Sequence, residues 1–156
     1  MKSVRVIDLP DIRQVANHDC GVAVCRVILR YYGRRWSDDF EKRLGACEID
    51  GTDPRNIEVL FRQLGFGVIS GEFTMRDLRF HIGAKRPVIT LIQRAGIGHY
   101  IVVKNANSRW IDYHCPVDGS VRETVRRFRE AWRDVGRMGT VYHSFGIVPC
   151  PRNKKT

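Results

Sequence analysis

The sequence predicts an α+β fold in which N-terminal helices pack on a C-terminal antiparallel sheet. Three observations carry this. An apolar run, Val22–Tyr32, follows Asp19-Cys20-Gly21 with helical spacing. A strong helix start stands at Gly51-Thr52-Asp53-Pro54. In the second half, β-rich runs alternate with turn residues, as in Pro87–Ile92 and His99–Lys104 around the turn Arg94–Gly98. The 156 residues suit one domain with a real core, read as residues 1–150 with a basic tail over 151–156.

Taken in order, Val4, Val6, Ile7 and Leu9 up to Pro10 form an edge strand or an extended lead-in. Arg13–His18 is a polar loop, with Gln14 six positions before Cys20. Cys20, Val24, Val27, Ile28 and Tyr31 then share one helical face, with Asp19 as N-cap and Gly33 as the stop. Trp36–Cys47 is a second amphipathic stretch marked by Phe40 and Leu44 and ended by Gly45. Thr52 or Asp53 caps a third helix, with Pro54 at its first position. Ile57, Leu60, Phe61 and Leu64 line its apolar side, and Gly65 stops it. Phe66–Ile69 reads as a short strand, and Thr74–Ile82 as a short helix with Leu78 and Ile82 inward.

Pro87–Ile92 and His99–Lys104 are strands, and Asn105–Ser108 is hairpin chemistry leading to a partner strand, Arg109–His114. Cys115–Gly119 is a turn. Ser120-Val121-Arg122-Glu123 matches a capping box and predicts a helix with Val121, Val125, Phe128 and Trp132 inward. Thr140–Val148 closes the fold as a last strand. The pattern contains no internal repeat and no linker.

Net charge is +10, from 27 Lys and Arg against 17 Asp and Glu. The charge is compatible with an acidic protein partner; a nucleic-acid role would rest on charge alone, because no recognition motif accompanies it. No run of 18 apolar residues and no signal-peptide core occurs, so no membrane span and a cytoplasmic setting are expected. The five cysteines are odd in number and include no CxxC pair, which argues against a disulfide framework and a four-cysteine zinc site. No cofactor and no metal is expected.

Three residues suggest chemistry. Cys20 opens a helix, where the macrodipole and unpaired N–H groups favour the thiolate and a lowered pKa. Gly21 beside it would let a substrate backbone approach. His99 stands at a strand edge after Gly98, and Gln14 carries an amide donor on the preceding loop. Thiol attack on a carbonyl needs this set: a nucleophile, an imidazole base, and donors for the oxyanion, here the Gln14 amide and the Cys20 N–H. Residue type alone does not select His99 over His18, His81, His114 or His143. Cys20, His99 and Cys115 are also good zinc ligands by type, an alternative reading.

The stretch Gln14-x5-Cys20 in "QVANHDCGVAVCRVILRYYG", with Gly51-Thr52, "LFRQLGFGV", Pro87-Val88-Ile89 and "GHYIVV", resembles the C39 peptidases, papain-like cysteine proteases that process bacteriocins. The resemblance covers roughly residues 10 to 132. It implies a papain-like fold, with Cys20 as nucleophile, His99 as general base and Gln14 in the oxyanion hole. The family's third residue is an Asp, and here Cys115 takes that position. Asp112 and Asp118 stand nearby, but Asp112 points to the opposite strand face unless a bulge brings it back. The resemblance implies hydrolysis of a peptide or isopeptide bond at small residues such as Gly. The alternative is a binding module that kept the fold and lost turnover. Family members fused to transporters continue into membrane and ATPase domains, so a stand-alone unit is expected here.

Overall fold

Backbone pairing around one nearly all-apolar helix sets the architecture of the computed structural model, which describes residues 7–46, 51–135 and 140–152. That helix, α1 (Cys20–Tyr31), buries Cys20, Gly21, Val22, Ala23, Val24 and Cys25 in succession, then Val27, Ile28 and Leu29. A Schellman motif ends it: Gly33 at φ +69° donates to the Arg30 carbonyl, and Arg34 donates to that of Leu29. Next come α2 (Phe40–Leu44) and α3 (Pro54–Gln63), the latter capped by the Asp53 carboxylate, which accepts from Arg55 N at 2.8 Å.

A six-stranded antiparallel sheet follows, in the order β1 (Phe66–Glu72), β8 (Phe145–Pro151), β2 (Val88–Arg94), β3 (Ile97–Ala106), β4 (Trp110–Cys115) and β5 (Gly119–Thr124). A short pair, β6 (Arg133–Val135) and β7 (Val141–His143), forms a separate two-stranded sheet, joined to β2 by Gln93 Nε2 donating to Asp134 Oδ1 at 2.7 Å. Helices α4 (Met75–Gly83) and α5 (Val125–Ala131) complete the set. The sheet is covered on both sides. Residues of α1, α2 and α3 join Ile89, Leu91, Tyr100, Val102 and Ile147 in one apolar cluster. Leu78 and Ile82 of α4 and Phe128 of α5 join Val88, Ile92, Ile101 and Val103 in a second. The alternation along β2 and β3 thus serves two cores, as the strand period requires.

Several expectations change. The capping box at Ser120 does not form: Gly119–Thr124 is β5, paired without a break to β4 from Trp110↔Thr124 to Cys115↔Gly119. Ladder pairing overrides the local capping signal, and the helix starts later, where Thr124 Oγ1 accepts from Arg127 N at 3.2 Å. The last strand is split at Ser144, φ +49°, into β7 and β8, and β6 has no counterpart in the sequence reading. The N-terminal stretch is a lead-in rather than a strand over its described part, with Ile7 N donating to Lys104 O at 3.4 Å. Val4, Val6 and Cys47 lie outside the described residues. No described helix is long and apolar enough to cross a membrane.

Candidate active site

Cys20 is the first residue of α1 and only 8% exposed. Asp19 holds the N-cap position, but its side chain makes no cap hydrogen bond. Its carboxylate turns back to the loop instead, accepting from Ala16 N at 3.1 Å and pairing with His18 Nε2 at 3.3 Å. Backbone N–H groups of Tyr100, Gly21 and Cys20 itself surround the sulfur and favour its thiolate, but burial dominates and pushes the thiol above its ordinary pKa. The lowered pKa expected from the helix terminus is therefore overturned: desolvation in the apolar cluster outweighs the N–H groups. Gly21 also has a different reason from the expected one. A Cβ there would lie 2.6 Å from the Thr52 Cβ, so Thr52 already fills the space that glycine opens.

His99 is the third residue of β3, opposite Ile92, and is 8% exposed. Its Nε2 lies 3.3 Å from the Cys115 sulfur at the end of β4. The next residue in the chain is Tyr100, whose backbone N–H is among the groups that favour the Cys20 thiolate. Burial pushes His99 down to about 4; the Arg94 cation acts in the same direction and the Asp118 carboxylate opposes it. Arg94 Nη1 donates to the Cys115 sulfur at 3.1 Å, while its Nη2 forms an ion pair with Asp118. Sequence reasoning missed Arg94. Its signal was present in the hairpin, where Arg94 is two residues beyond the His99 partner Ile92 and so on the same sheet face.

Asp112 does not reach His99. Arg122 donates to both its oxygens at 2.7 and 3.0 Å, and Asn105 donates at 3.2 Å. The irregularity that could have redirected it is in the β3–β4 pairing between Val103 and Asn105, whereas β4 runs in unbroken register against β5. The other histidines are engaged elsewhere or exposed. His18 pairs with Asp19, His81 contacts Arg86, His114 contacts the Ile12 carbonyl, and His143 is exposed on β7.

Gln14 Nε2 donates to Ala16 O at 2.9 Å, and its Oε1 is buried without a partner. Its backbone N donates to Pro116 O at 3.0 Å, and Arg13 Nη1 donates to Val117 O at 2.7 Å. The loop that carries Gln14 is thus fastened to the turn after Cys115. A cavity of about 210 Å³ lies beside Cys115, lined by Arg94, Tyr113, Asp118 and Glu123 but by neither Cys20 nor His99. Among the described residues, no group of three or more His, Cys, Asp or Glu is placed to hold a metal ion.

Helices packed on an antiparallel sheet, with Cys20 at the start of α1 and His99 on β3, give the scaffold of a papain-like fold. The profile of the Peptidase C39 family matches residues 8–136, and the chain belongs to that family of cysteine peptidases. It is 29% identical over 128 residues to the lactococcin-G-processing and transport ATP-binding protein LagD of Lactococcus lactis subsp. lactis, covering 80% of this chain and 18% of that protein. It thus spans about a fifth of that relative's length. Among solved structures, a double-glycine motif protease from an AMS/PCAT transporter in complex with its leader peptide superposes with a TM-score of 0.70 at 19% identity, covering 94% of each chain. The peptidase domain of Streptococcus ComA, a bifunctional ABC transporter, gives 0.68 at 22% identity over 94% of this chain and 99% of that one. These likenesses show the fold.

Proposed function

We propose that the protein is a cysteine peptidase that hydrolyses a peptide or isopeptide bond next to small residues such as glycine. What supports the reading is Cys20 at the start of α1 and His99 on β3, with His99 Nε2 3.3 Å from the Cys115 sulfur, in a chain of the Peptidase C39 family. Burial favours the uncharged form of both Cys20 and His99, so the proton moves as the substrate is attacked. His99 takes the Cys20 proton while the sulfur bonds to the carbonyl carbon. The oxyanion is met by the Cys20 N–H and, once it leaves Ala16 O, the Gln14 amide. Collapse expels the amine, protonated by His99, and leaves a thioester. Water, deprotonated by His99, then releases the acid and restores the thiol.

The leader peptide bound by the AMS/PCAT protease supports a peptide substrate with a double-glycine motif for this chain as well. Exposed Val15 and Val117, next to Gln14 and the Cys115 turn, offer apolar contact to such a peptide. The lack of a long apolar helix among the described residues fits a cytoplasmic setting. A second reading, a binding module without turnover, draws on Cys115 in place of a carboxylate and on the raised Cys20 thiol. The test is incubation with double-glycine peptides, followed by mass spectrometry. Cleavage by wild type and not by Cys20→Ala supports the peptidase; saturable binding without cleavage supports the module.

A further inference from the structure

The Cys115 sulfur has three polar neighbours, and each contact has a direction set by its chemistry. A guanidinium only donates, so Arg94 Nη1 gives its proton to the sulfur at 3.1 Å. A carboxylate only accepts, so the S–H points to Asp118 Oδ2, at 3.9 Å. The remaining contact, His99 Nε2 at 3.3 Å, is then one in which sulfur accepts. With the S–H so directed, the matching imidazole tautomer has its proton on Nε2 and a bare Nδ1.

We propose that Arg94 is a positioning residue for His99. By donating to Cys115 and pairing with Asp118, it makes the sulfur an acceptor for His99 Nε2–H, and so sets the tautomer whose Nδ1 takes the Cys20 proton. The inference rests on the peptidase reading for the last clause only. Arg94 and Asp118 are 41% and 48% exposed, and an ion pair that open to water contributes little to stability. Its orienting geometry is the better reason for it. The other charged groups near Cys115 have partners of their own. Arg13 is held by Asp11 and the Val117 carbonyl, and Glu123 is bonded to Tyr113.

The experiment uses the full chain labelled with ¹⁵N-histidine, reading the His99 ring nitrogens by long-range ¹H–¹⁵N spectra. Wild type should show the Nε2–H form. Arg94→Met and Cys115→Ala should move His99 toward the Nδ1–H form or a mixture, and Asp118→Asn should do so less. Cys115→Ser, which keeps an acceptor, should retain Nε2–H. Arg94→Met should lower kcat roughly tenfold or more with KM little changed, short of the about 10⁴-fold cost of the wrong tautomer in a serine triad; Arg94→Lys should recover part of it. A wild-type Nδ1–H form, or a tautomer indifferent to both Arg94→Met and Asp118→Asn, overturns the proposal. A tautomer that follows Arg94 in a protein without turnover would leave it standing and defeat the peptidase reading. Turnover with a tautomer that ignores Arg94 would do the reverse.

Discussion

Cys20 and Cys115 lie in opposite surroundings. Cys20 lies in the apolar cluster, and the polar groups that favour its thiolate are all backbone N–H groups. Cys115 touches a guanidinium, an imidazole and, more distantly, a carboxylate. Cys20 is therefore shielded with its thiol favoured over the thiolate, while the Cys115 sulfur accepts from the Arg94 guanidinium. Position at a helix terminus does not by itself make a reactive thiolate; desolvation competes with the dipole, and here it is the larger effect.

The sharpest way to break this contrast is to exchange the roles. Cys20→Ala should abolish peptide cleavage and covalent labelling by a peptide electrophile, with Cys115 still present; labelling that persists at Cys115 would reverse the assignment. Gln14→Ala should lower kcat by roughly 10²-fold, as for loss of one oxyanion donor, with the melting temperature nearly constant. The alkylation rate of Cys20 should climb steadily as pH rises from neutral, because its raised pKa keeps it protonated there. A plateau below pH 7 would mark a preformed thiolate and erase the difference between the two sulfurs. Gly21→Ala should cost about 1–3 kcal/mol in denaturant unfolding through overpacking against Thr52, and Thr52→Ala should restore most of it. The smallest effect belongs to Asp112→Asn. It should change kcat by less than about twofold and cost about 1 kcal/mol, since Asp112 holds Arg122 rather than His99.

Much of this was legible in the sequence where local and global preferences agree. The helix-start residues around Pro54, the stop at Gly33 and the hydrophobic periods of α1 and α3 all reappear in the fold. Ser120–Glu123 was misread because a capping pattern does not reveal that β4 offers a ladder to join. Cys20 stood out by its place at a helix start, and His99 and Gln14 were singled out by the family resemblance, but the surroundings of all three were not legible. Burial of the Cys20 thiol, Thr52 against Gly21, and Arg94 on Cys115 all arise from contacts between segments far apart in the chain.

The fastening of residues 12–14 to the 114–117 turn has a temporal meaning. His114 on Ile12 O and Arg13 on Val117 O join positions 102 and 104 residues apart, and Gln14 N on Pro116 O joins the same two segments. Chain entropy disfavours closing so long a loop before the intervening strands have paired. A growing chain that has made Cys20 and even His99 still lacks the turn that seats Gln14. The proposed peptidase site would then stay incomplete until the β4–β5 hairpin has emerged and met the N-terminal segment.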